Sequence, residues 1–339
     1  MKIKQHKLFN IAAAAALLSL GSCGSVFDDL KPCPEGVEMR FVYDYNLESA
    51  NAFYSQVDCL TLHIYDAEGN FVTTMTETGD VLANEFWRMP VDLKPGTYHA
   101  VAYGGIECDK ASFSHQAAPG EGSILSDISM KLKPEHIGTR LHDHFHGELD
   151  FTVDENSTDY KSVTMRMKKT TNHLRIILQN LDGTPVDGSD FEIYITDDNS
   201  ILDHHNNRVR GNTIRYSTWD SGKVTAEAQY PDDVNEPEAL TRAGELTVGY
   251  GELSVSRPTM VTTPKLVIRY VPEQREVASL PLNTYLAMGK SGAETWSSQE
   301  YLDRCSRWNL TFFLDKGNVW HRTQIVVNGW KVRINEHEF

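Results

Sequence analysis

The feature that most constrains this chain is a set of short segments in which apolar and polar residues alternate. The clearest covers residues 37–45, where every second side chain from Val37 to Tyr45 is apolar or aromatic. A period of two places one side of a segment against a core and the other in water, which is the pattern of a β-strand. The sequence therefore predicts an all-β fold. Similar segments follow at residues 57–66, 97–103, 147–153, 162–167, 173–179, 191–196, 266–270 and 309–314.

The length of the chain sets the expected number of domains. Its 339 residues are many for one β-domain, whereas two domains of roughly 150 residues each are ordinary. Short strands, frequent turns and almost no helical period favour β-sandwiches over an α/β sheet. We expect an N-terminal sandwich at residues 36–158 and a C-terminal sandwich at residues 159–339, divided by a polar stretch.

One short helix is predicted in the C-terminal half. Ser297 and Glu300 have the spacing of a capping box, in which the serine side chain accepts a hydrogen bond from the third amide and the glutamate reaches back. Four residues then fall on one side of the predicted helix and indicate packing onto the second sandwich: Tyr301, Leu302, Cys305 and Trp308.

The N-terminus has the layout of an export signal. The apolar run at residues 9–20 is preceded by three lysines and followed by Gly21 and Ser22. A transmembrane helix needs roughly 20 apolar residues, so this run is too short to span a bilayer comfortably. A basic segment, an apolar segment and small residues are typical of a secretory signal peptide. We predict that residues 1–22 are removed.

The segment Leu20-Gly21-Ser22-Cys23 resembles the lipobox of bacterial lipoproteins, in which the cysteine thiol receives a diacylglycerol. The resemblance implies lipidation of Cys23 and a lipidated tether at residues 23–35. Several acyl chains hold a protein firmly at a membrane, whereas one chain binds marginally. The alternative is an ordinary signal peptide with an incidental cysteine. The tether carries Asp28 and Asp29, which either resemble an outer-face sorting signal or form a solvated linker.

Four cysteines remain after Cys23, in a compartment that permits disulfides. Four cysteines allow three pairings, and spacing does not choose among them. Cys59 and Cys108 lie in or near predicted strands, where they are equally suited to be small buried apolar residues. The four are Cys33, Cys59, Cys108 and Cys305.

Charge and motifs exclude several classes of function. The formal charge is -15 and the basic residues are scattered, which argues against nucleic acid because its binding requires neutralising many phosphates. The sequence contains neither a Gly-x-Ser-x-Gly nucleophile elbow nor a phosphate-binding glycine loop. We therefore predict a protein that is not an enzyme and needs no cofactor.

One histidine cluster could bind a metal. In an extended segment His142, His144 and His146 would share one face, and imidazoles at that spacing can bind zinc. The alternative is a polar loop that leads into the strand at Gly147. Since the sequence does not locate an accompanying acidic ligand, we do not predict a metal site here.

Several local sequences, in order along the chain, together resemble the fimbrillin-A-associated anchor proteins (minor fimbrium anchoring subunits) of the Bacteroides group. The most distinctive, Gln-Glu-Tyr-Leu-Asp-Arg at residues 299–304, precedes a strand that ends Thr-Phe-Phe-Leu. The resemblance implies two tandem transthyretin-like β-sandwich domains, a lipid anchor at the outer membrane, and a place at the base of a fimbrium where the subunit limits fibre growth. The other matching pieces are residues 33–36, 40–45, 98–105, 145–147 and 327–330.

In such fimbriae each subunit donates a strand to the next, and the partner here would be a fimbrillin-like shaft subunit. The resemblance implies that this chain keeps its strand at 37–45 and offers its C-terminal strand. Asn328-Gly329 either forms the turn of a hairpin or marks a bulge in one strand. In a hairpin the C-terminal strand would be less free to detach and pair with a neighbour. The strand-exchange candidates are Gln324, Ile325, Val326, Val327, Trp330, Val332 and Ile334.

A surface glycan-binding lipoprotein is the alternative function. It would share the lipid anchor and the sandwiches but present exposed aromatic side chains as a platform. Isolated tryptophans in a β-protein more often pack in the core or at an edge. The candidates are Trp87, Trp219, Trp296, Trp308, Trp320 and Trp330.

Overall fold

A computed structural model describes residues 36–155, 159–227, 245–290, 295–327 and 330–333. The predicted signal peptide, tether, Cys23, Cys33 and Ile334 lie outside these residues. Within them, no helix is long and apolar enough to cross a membrane. The all-β prediction is confirmed. The strands are β1 (Gly36–Val42), β2 (Cys59–Asp66), β3 (Phe71–Thr78), β4 (Met89–Asp92), β5 (Gly96–Gly104), β6 (Phe113–His115), β7 (Ser129–Leu132), β8 (Phe145–Val153), β9 (Lys161–Lys169), β10 (Asn172–Asn180), β11 (Phe191–Asp197), β12 (Ile201–Asp203), β13 (Ile214–Ser217), β14 (Asp220–Glu227), β15 (Glu245–Val255), β16 (Lys265–Tyr270), β17 (Arg275–Pro281), β18 (Arg307–Asp315), β19 (Val319–Val327) and β20 (Trp330–Arg333).

The N-terminal domain is one sheet folded into two layers. Its strand order is β3-β2-β5-β8-β9-β1-β4. Strands β8 and β9 pair over three residues, from Phe145–Lys169 to Gly147–Met167, and this short seam joins the layers. Both layers turn apolar side chains inward, including Met39 and Leu62, so they enclose one hydrophobic cluster.

The first sheet extends beyond the predicted domain boundary at residue 158. Strand β9 lies after that boundary, yet it pairs in parallel with β1 and antiparallel with β8. The sheets therefore divide between Lys169 and Asn172. The polar stretch that suggested a boundary is the connection between two strands of the same domain. A parallel partner far away in sequence leaves no local signal, which explains the difference.

The C-terminal domain is a sandwich of two sheets. The larger has the order β14-β15-β10-β18-β19-β20 and the smaller the order β13-β11-β16-β17. Ile176 and Leu310 from the larger sheet and Ile193 and Ile268 from the smaller are fully or almost fully buried in one cluster. Burial of each such side chain stabilises the fold by about 1.5–3 kcal/mol.

The two domains share part of this hydrophobic core. A third small sheet has the order β12-β7-β6, and in it Leu202 of the second domain pairs with Met130 of the first. Tyr103 and Phe113 of the first domain belong to the same buried cluster as the core of the second. The domains are thus joined by a sheet and by apolar packing.

Three α-helices occur in the described residues: α1 (Phe53–Gln56), α2 (Leu282–Ala287) and α3 (Ser298–Arg304). Helix α3 is the predicted one, and its cap is half of the predicted capping box. The Glu300 amide donates to Ser297 Oγ at 3.1 Å. The Glu300 carboxylate accepts a hydrogen bond from Arg304 Nε at 3.0 Å instead of reaching back to the cap.

Candidate assembly site

The first strand is held on both sides. β1 lies between β9, which runs parallel to it, and β4, which runs antiparallel. Val37 and Met39 are fully buried, and Phe41 stacks against Phe53 with ring centroids 5.7 Å apart. A strand that donates hydrogen bonds to two neighbours and side chains to the core is an integral part of its own domain.

Gly36 fixes the entry into β1. Its φ angle is 138°, and a Cβ built there would lie 2.0 Å from the Val91 carbonyl oxygen. L-residues rarely adopt this φ, and the clash is with backbone of β4 rather than with a flexible side chain. The glycine therefore allows β1 and β4 to approach closely at the point where the described chain begins.

The last two strands form a hairpin. β19 and β20 pair antiparallel, with Val327 opposite Trp330 and Gln324 opposite Arg333. Of the two alternatives for this segment, the structure has the hairpin and not a single bulged strand. β19 also pairs with β18 from Asn309–Val326 to Asp315–Val319. The hairpin is therefore continuous with the centre of the larger sheet.

Strand β20 lies at the edge of that sheet. Among the described strands its neighbour is β19, and its other side has no strand beside it. An edge strand presents a row of unpaired N–H and C=O groups, which is a template for pairing with another chain. Of the strand-exchange candidates, Gln324 to Val327 lie in β19 and Trp330 and Val332 in β20.

The distinctive Gln-Glu-Tyr-Leu-Asp-Arg sequence forms α3, which hydrogen bonds fix to the segment after β15. Asp303 accepts two hydrogen bonds from Arg257, Nε to Oδ1 and Nη2 to Oδ2, both at 2.8 Å. Gln299 donates to Asp303 Oδ1 at 3.0 Å and accepts from the Met260 amide at 2.8 Å. A bidentate, charge-assisted pair of this kind fixes orientation as well as adding stability.

Arg304, the last residue of α3, connects the two domains. Its guanidinium lies over the ring of Tyr45, 4.2 Å from the centroid, and over Trp296 at 4.6 Å. Nη1 also donates to the Asn46 carbonyl oxygen at 3.4 Å. Because Tyr45 and Asn46 follow β1, this helix links the first strand of the chain to the second domain.

A buried ion pair lies at the same junction. Lys169 Nζ donates to Asp143 Oδ2 at 2.5 Å, and His173 Nε2 bonds Asp143 Oδ1 at 2.8 Å. Burial raises the pKa of Asp143, but the hydrogen bonds and charges of His173 and Lys169 outweigh it and hold this pKa below its ordinary value. Since Lys169 is the last residue of β9 and His173 the second residue of β10, the carboxylate bridges the two domains.

The three histidines of the predicted cluster have separate partners. His142 Nε2 lies 3.0 Å from Asp58 Oδ1. His144 is fully buried and bonds Thr170 Oγ1, and its ring stacks on Phe113. His146 Nε2 bonds the His204 carbonyl oxygen at 2.8 Å. The alternating pattern therefore does not gather these three side chains around one ion.

The interior of the first domain holds a histidine network that the sequence did not indicate. His63 Nε2 and His115 Nε2 are 3.0 Å apart, and Tyr103 packs against His115, His144 and His146. Burial lowers the pKa of His63 and of His144 to about 3 and that of His146 to about 4. These imidazoles are neutral in the folded protein at neutral pH, and they act there as packed, hydrogen-bonded core residues.

Among the described cysteines, Cys59 and Cys108 form a disulfide with a Cα–Cα distance of 6.3 Å. Cys305 is a free, buried thiol. Burial raises its pKa to about 12, so it is not a reactive nucleophile. The alternative in which Cys59 and Cys108 are merely small apolar residues is wrong.

The tryptophans whose side chains are described pack within the protein. Trp308 is 1% exposed and meets Tyr301 edge to face. Trp87 stacks on Phe41 at 6.0 Å, and Trp320 packs against Phe312 at 6.1 Å. Trp219 and Trp296 lie under Arg140 and Arg304. Among these side chains there is no exposed aromatic platform of the kind that a glycan-binding surface would use.

Comparison with known proteins assigns the architecture to a class. The chain is 41% identical to a Bacteroides thetaiotaomicron VPI-5482 protein described as a candidate adhesin, with a TM-score of 0.80 over 91% of this chain and 100% of that one. A second protein of that organism, described as a candidate polysaccharide-binding protein, is 27% identical over 89% and 99% of the two chains, with a TM-score of 0.74. No curated protein matches at a significant level. The chain therefore shares its architecture with two Bacteroides thetaiotaomicron proteins, one of which is described as a candidate adhesin.

A match to a family model gives a more specific assignment. The model of the fimbrillin-A associated anchor proteins Mfa1 and Mfa2 matches residues 30–336. The fimbrial anchor protein Mfa2 of Porphyromonas gingivalis shares the fold, with a TM-score of 0.61 at 14% identity over 89% of this chain and 100% of that one. The chain belongs to the fimbrillin-A-associated anchor protein family, and the resemblance drawn from its local sequences is confirmed. Its role is that of a fimbrial anchor or adhesin, in a structural rather than an enzymatic family.

Proposed function

We propose that this protein is the lipid-anchored base of a fimbrium. Acyl chains on Cys23 would hold it in the outer membrane, exposed at the cell surface, and the β-sandwiches would carry the fibre. Family membership supports an anchor or adhesin role, and the Leu-Gly-Ser-Cys sequence at residues 20–23 supports lipidation. Because an anchored subunit occupies one end of a fibre, its presence also limits how long the fibre grows.

We further propose that the shaft subunit attaches at β20 by strand exchange or strand addition. The observation that carries this proposal is the contrast between β1, which has partners on both sides, and β20, which has one. A chain that keeps its first strand does not need a donor strand there. An edge strand with free N–H and C=O groups suits β-augmentation by a fibre subunit.

Lipidation is tested with cells that carry Cys23 or Cys23→Ala, labelled with a fatty-acid analogue. We expect label on the wild type, none on the variant, and fimbriae shed into the medium by the variant. A matched Cys33→Ala variant should keep the label and the attached fibres. Loss of label without any fibre in either strain would refute the fimbrial part of the proposal while leaving the lipoprotein part standing.

Binding of neutral glycans is the competing function, and the packed tryptophans weigh against it. Isothermal titration of the purified protein with neutral oligosaccharides should give no heat of binding. Saturable binding would favour the glycan alternative.

A further inference from the structure

Four possible metal ligands converge where β2 begins. They are Asp58, Cys59, Cys108 and His142, and their ligand atoms all lie within 4.8 Å of one another. His142 Nε2 is 3.0 Å from Asp58 Oδ1 and 4.0 Å from Cys108 Sγ. The two sulfurs form the disulfide described above. The cluster lies outside the C-terminal hairpin and plays no part in the proposed assembly edge.

We propose that, when Cys59 and Cys108 are reduced, these four residues bind one Zn²⁺ ion. Two thiolates, one imidazole and one carboxylate are all ligands that zinc takes in four-coordinate sites. The disulfide and the metal are then two alternative ways of making the same link between β2 and the segment after β5.

The distances fit a tetrahedral site closely on the nitrogen and oxygen side. Bond lengths of about 2.0–2.1 Å to nitrogen and oxygen place those two atoms about 3.3 Å apart around zinc, and the observed separation is 3.0 Å. A zinc–sulfur bond of about 2.3 Å places sulfur and nitrogen about 3.5 Å apart, and the observed separation is 4.0 Å. Both differences are within the reach of side-chain rotation.

The sulfur atoms make the larger movement. Around zinc they would be about 3.8 Å apart, so they must separate after the disulfide is reduced. The Cα atoms of Cys59 and Cys108 are 6.3 Å apart, and rotation about the Cα–Cβ bonds can supply this separation without moving the backbone.

The surrounding structure holds the ligands in place. The His142 amide donates to Ser112 Oγ at 2.8 Å, and the Cys59 carbonyl oxygen accepts from the Gly105 amide at 2.9 Å. Asp58 is exposed, and His142 lines a cleft of about 620 Å³ at the domain junction. The positions of the ligands are thus fixed by backbone contacts, and an ion can reach them from solvent.

The redox step balances with an external thiol or phosphine as the reductant. Reduction of the disulfide takes two electrons and two protons and yields two thiols. A dithiol reductant becomes a disulfide, whereas a phosphine takes the oxygen atom of a water molecule, whose two protons go to the thiols, and becomes a phosphine oxide. On binding zinc, each thiol loses its proton to solvent and becomes a thiolate ligand. Zinc should therefore slow reoxidation of the pair.

The test uses the purified protein reduced with a phosphine under anaerobic conditions and titrated with Co²⁺ as a spectroscopic substitute for Zn²⁺. We expect thiolate-to-cobalt charge-transfer absorption and the visible bands of a tetrahedral ion, at one equivalent, displaced by Zn²⁺. The oxidised protein should show neither band. Cys33→Ser and His205→Ala serve as matched controls that should leave the titration unchanged.

Two variants decide the assignment. His142→Ala and Asp58→Asn leave the disulfide intact, so their folding can be checked by circular dichroism before reduction, and each should weaken Co²⁺ binding by about tenfold or more. Reduced protein without the bands would overturn the proposal. So would bands that persist in Cys59→Ser, or binding that is equally tight in His142→Ala.

Discussion

The two terminal strands of the described chain occupy opposite positions in their sheets. β1 is an internal strand with β9 on one side and β4 on the other, whereas β20 is an edge strand next to β19. The inward side chains Val37, Met39 and Phe41 belong to the core of the first domain. Among the described strands, β1 therefore has a partner on each side and β20 has a partner on one side, which is the contrast on which our proposal of shaft attachment at β20 rests.

Removing β1 should have the largest effect. Three core side chains at about 1.5–3 kcal/mol each are lost together with the pairing on both sides, against a typical net stability of 5–15 kcal/mol. We expect deletion of residues 36–42 to give protein without a folded N-terminal domain, seen as rapid proteolysis of that half and loss of its dispersed amide resonances. A folded, protease-resistant product would contradict the internal role of β1.

The next largest effect concerns the buried ion pair that holds α3 against the segment after β15 in the second domain. Asp303→Ala leaves Arg257 largely buried without its bidentate partner, and breaking such a buried pair costs about 3–5 kcal/mol. Urea unfolding should show that loss, whereas the exposed Asp150→Ala control should change stability by about 0.5 kcal/mol or less. If the two variants are equally stable, the Arg257–Asp303 pair does not hold α3 as described.

Acidification should destabilise the first domain through its buried histidines. Folding lowers the pKa values of these histidines. At pH values below about 6.5, their ordinary pKa, the unfolded chain therefore binds more protons than the folded protein, and the free energy of unfolding decreases as the pH decreases. When the pH is lowered from 7.5 to 5.5, the free energy of unfolding should decrease by about 3–4 kcal/mol through the combined effect of His63, His144 and His146. Burial raises the pKa of Asp197 to about 6. Protonation of this carboxylate over the same pH range should offset about 1 kcal/mol of the decrease in stability.

The measurement is urea unfolding at both pH values. His63→Gln should make stability about 1 kcal/mol less dependent on pH over this range. His205→Gln, at an exposed position, should keep the wild-type dependence. An unchanged dependence in His63→Gln would show that His63 does not become protonated on unfolding.

Removing β20 should have the smallest effect on stability. Four cross-strand pairs with β19 are lost, and at roughly 0.2–1 kcal/mol each they amount to about 1–4 kcal/mol. Deletion of residues 330–339 should therefore leave a folded, soluble protein that no longer holds fimbriae on the cell. A variant that is folded and still retains its fibres would show that the shaft subunit attaches elsewhere.

The sequence predicted those features that depend on residues close together in the chain, and it missed those that depend on residues far apart. The alternation at residues 37–45, the cap at Ser297 and the Asn-Gly turn each depend on neighbouring residues, and each predicted its element. The place of β9 beside β1 depends on a parallel partner far along the chain, so the predicted boundary at residue 158 fell too early. The histidine network and the Asp143–Lys169 pair also depend on long-range packing.

The candidate site followed the same rule. The Gln-Glu-Tyr-Leu-Asp-Arg sequence was distinctive enough to indicate the family, but the roles of its last two residues became visible in the fold. Asp303 pairs with Arg257 within the second domain, and Arg304 contacts Tyr45 of the first domain. The residues 142, 144 and 146 alternate as predicted, yet only His142 lies among convergent ligands, and its companions Asp58, Cys59 and Cys108 come from distant segments.

Photo-crosslinking on intact cells shows whether the shaft subunit pairs with β20. A photoreactive amino acid would replace Val332 in β20 and, as the matched control, Val72 in edge strand β3 of the first domain. We expect an adduct with the fimbrial shaft subunit from position 332 and none from position 72. No adduct from position 332, or equal adducts from both positions, would contradict it.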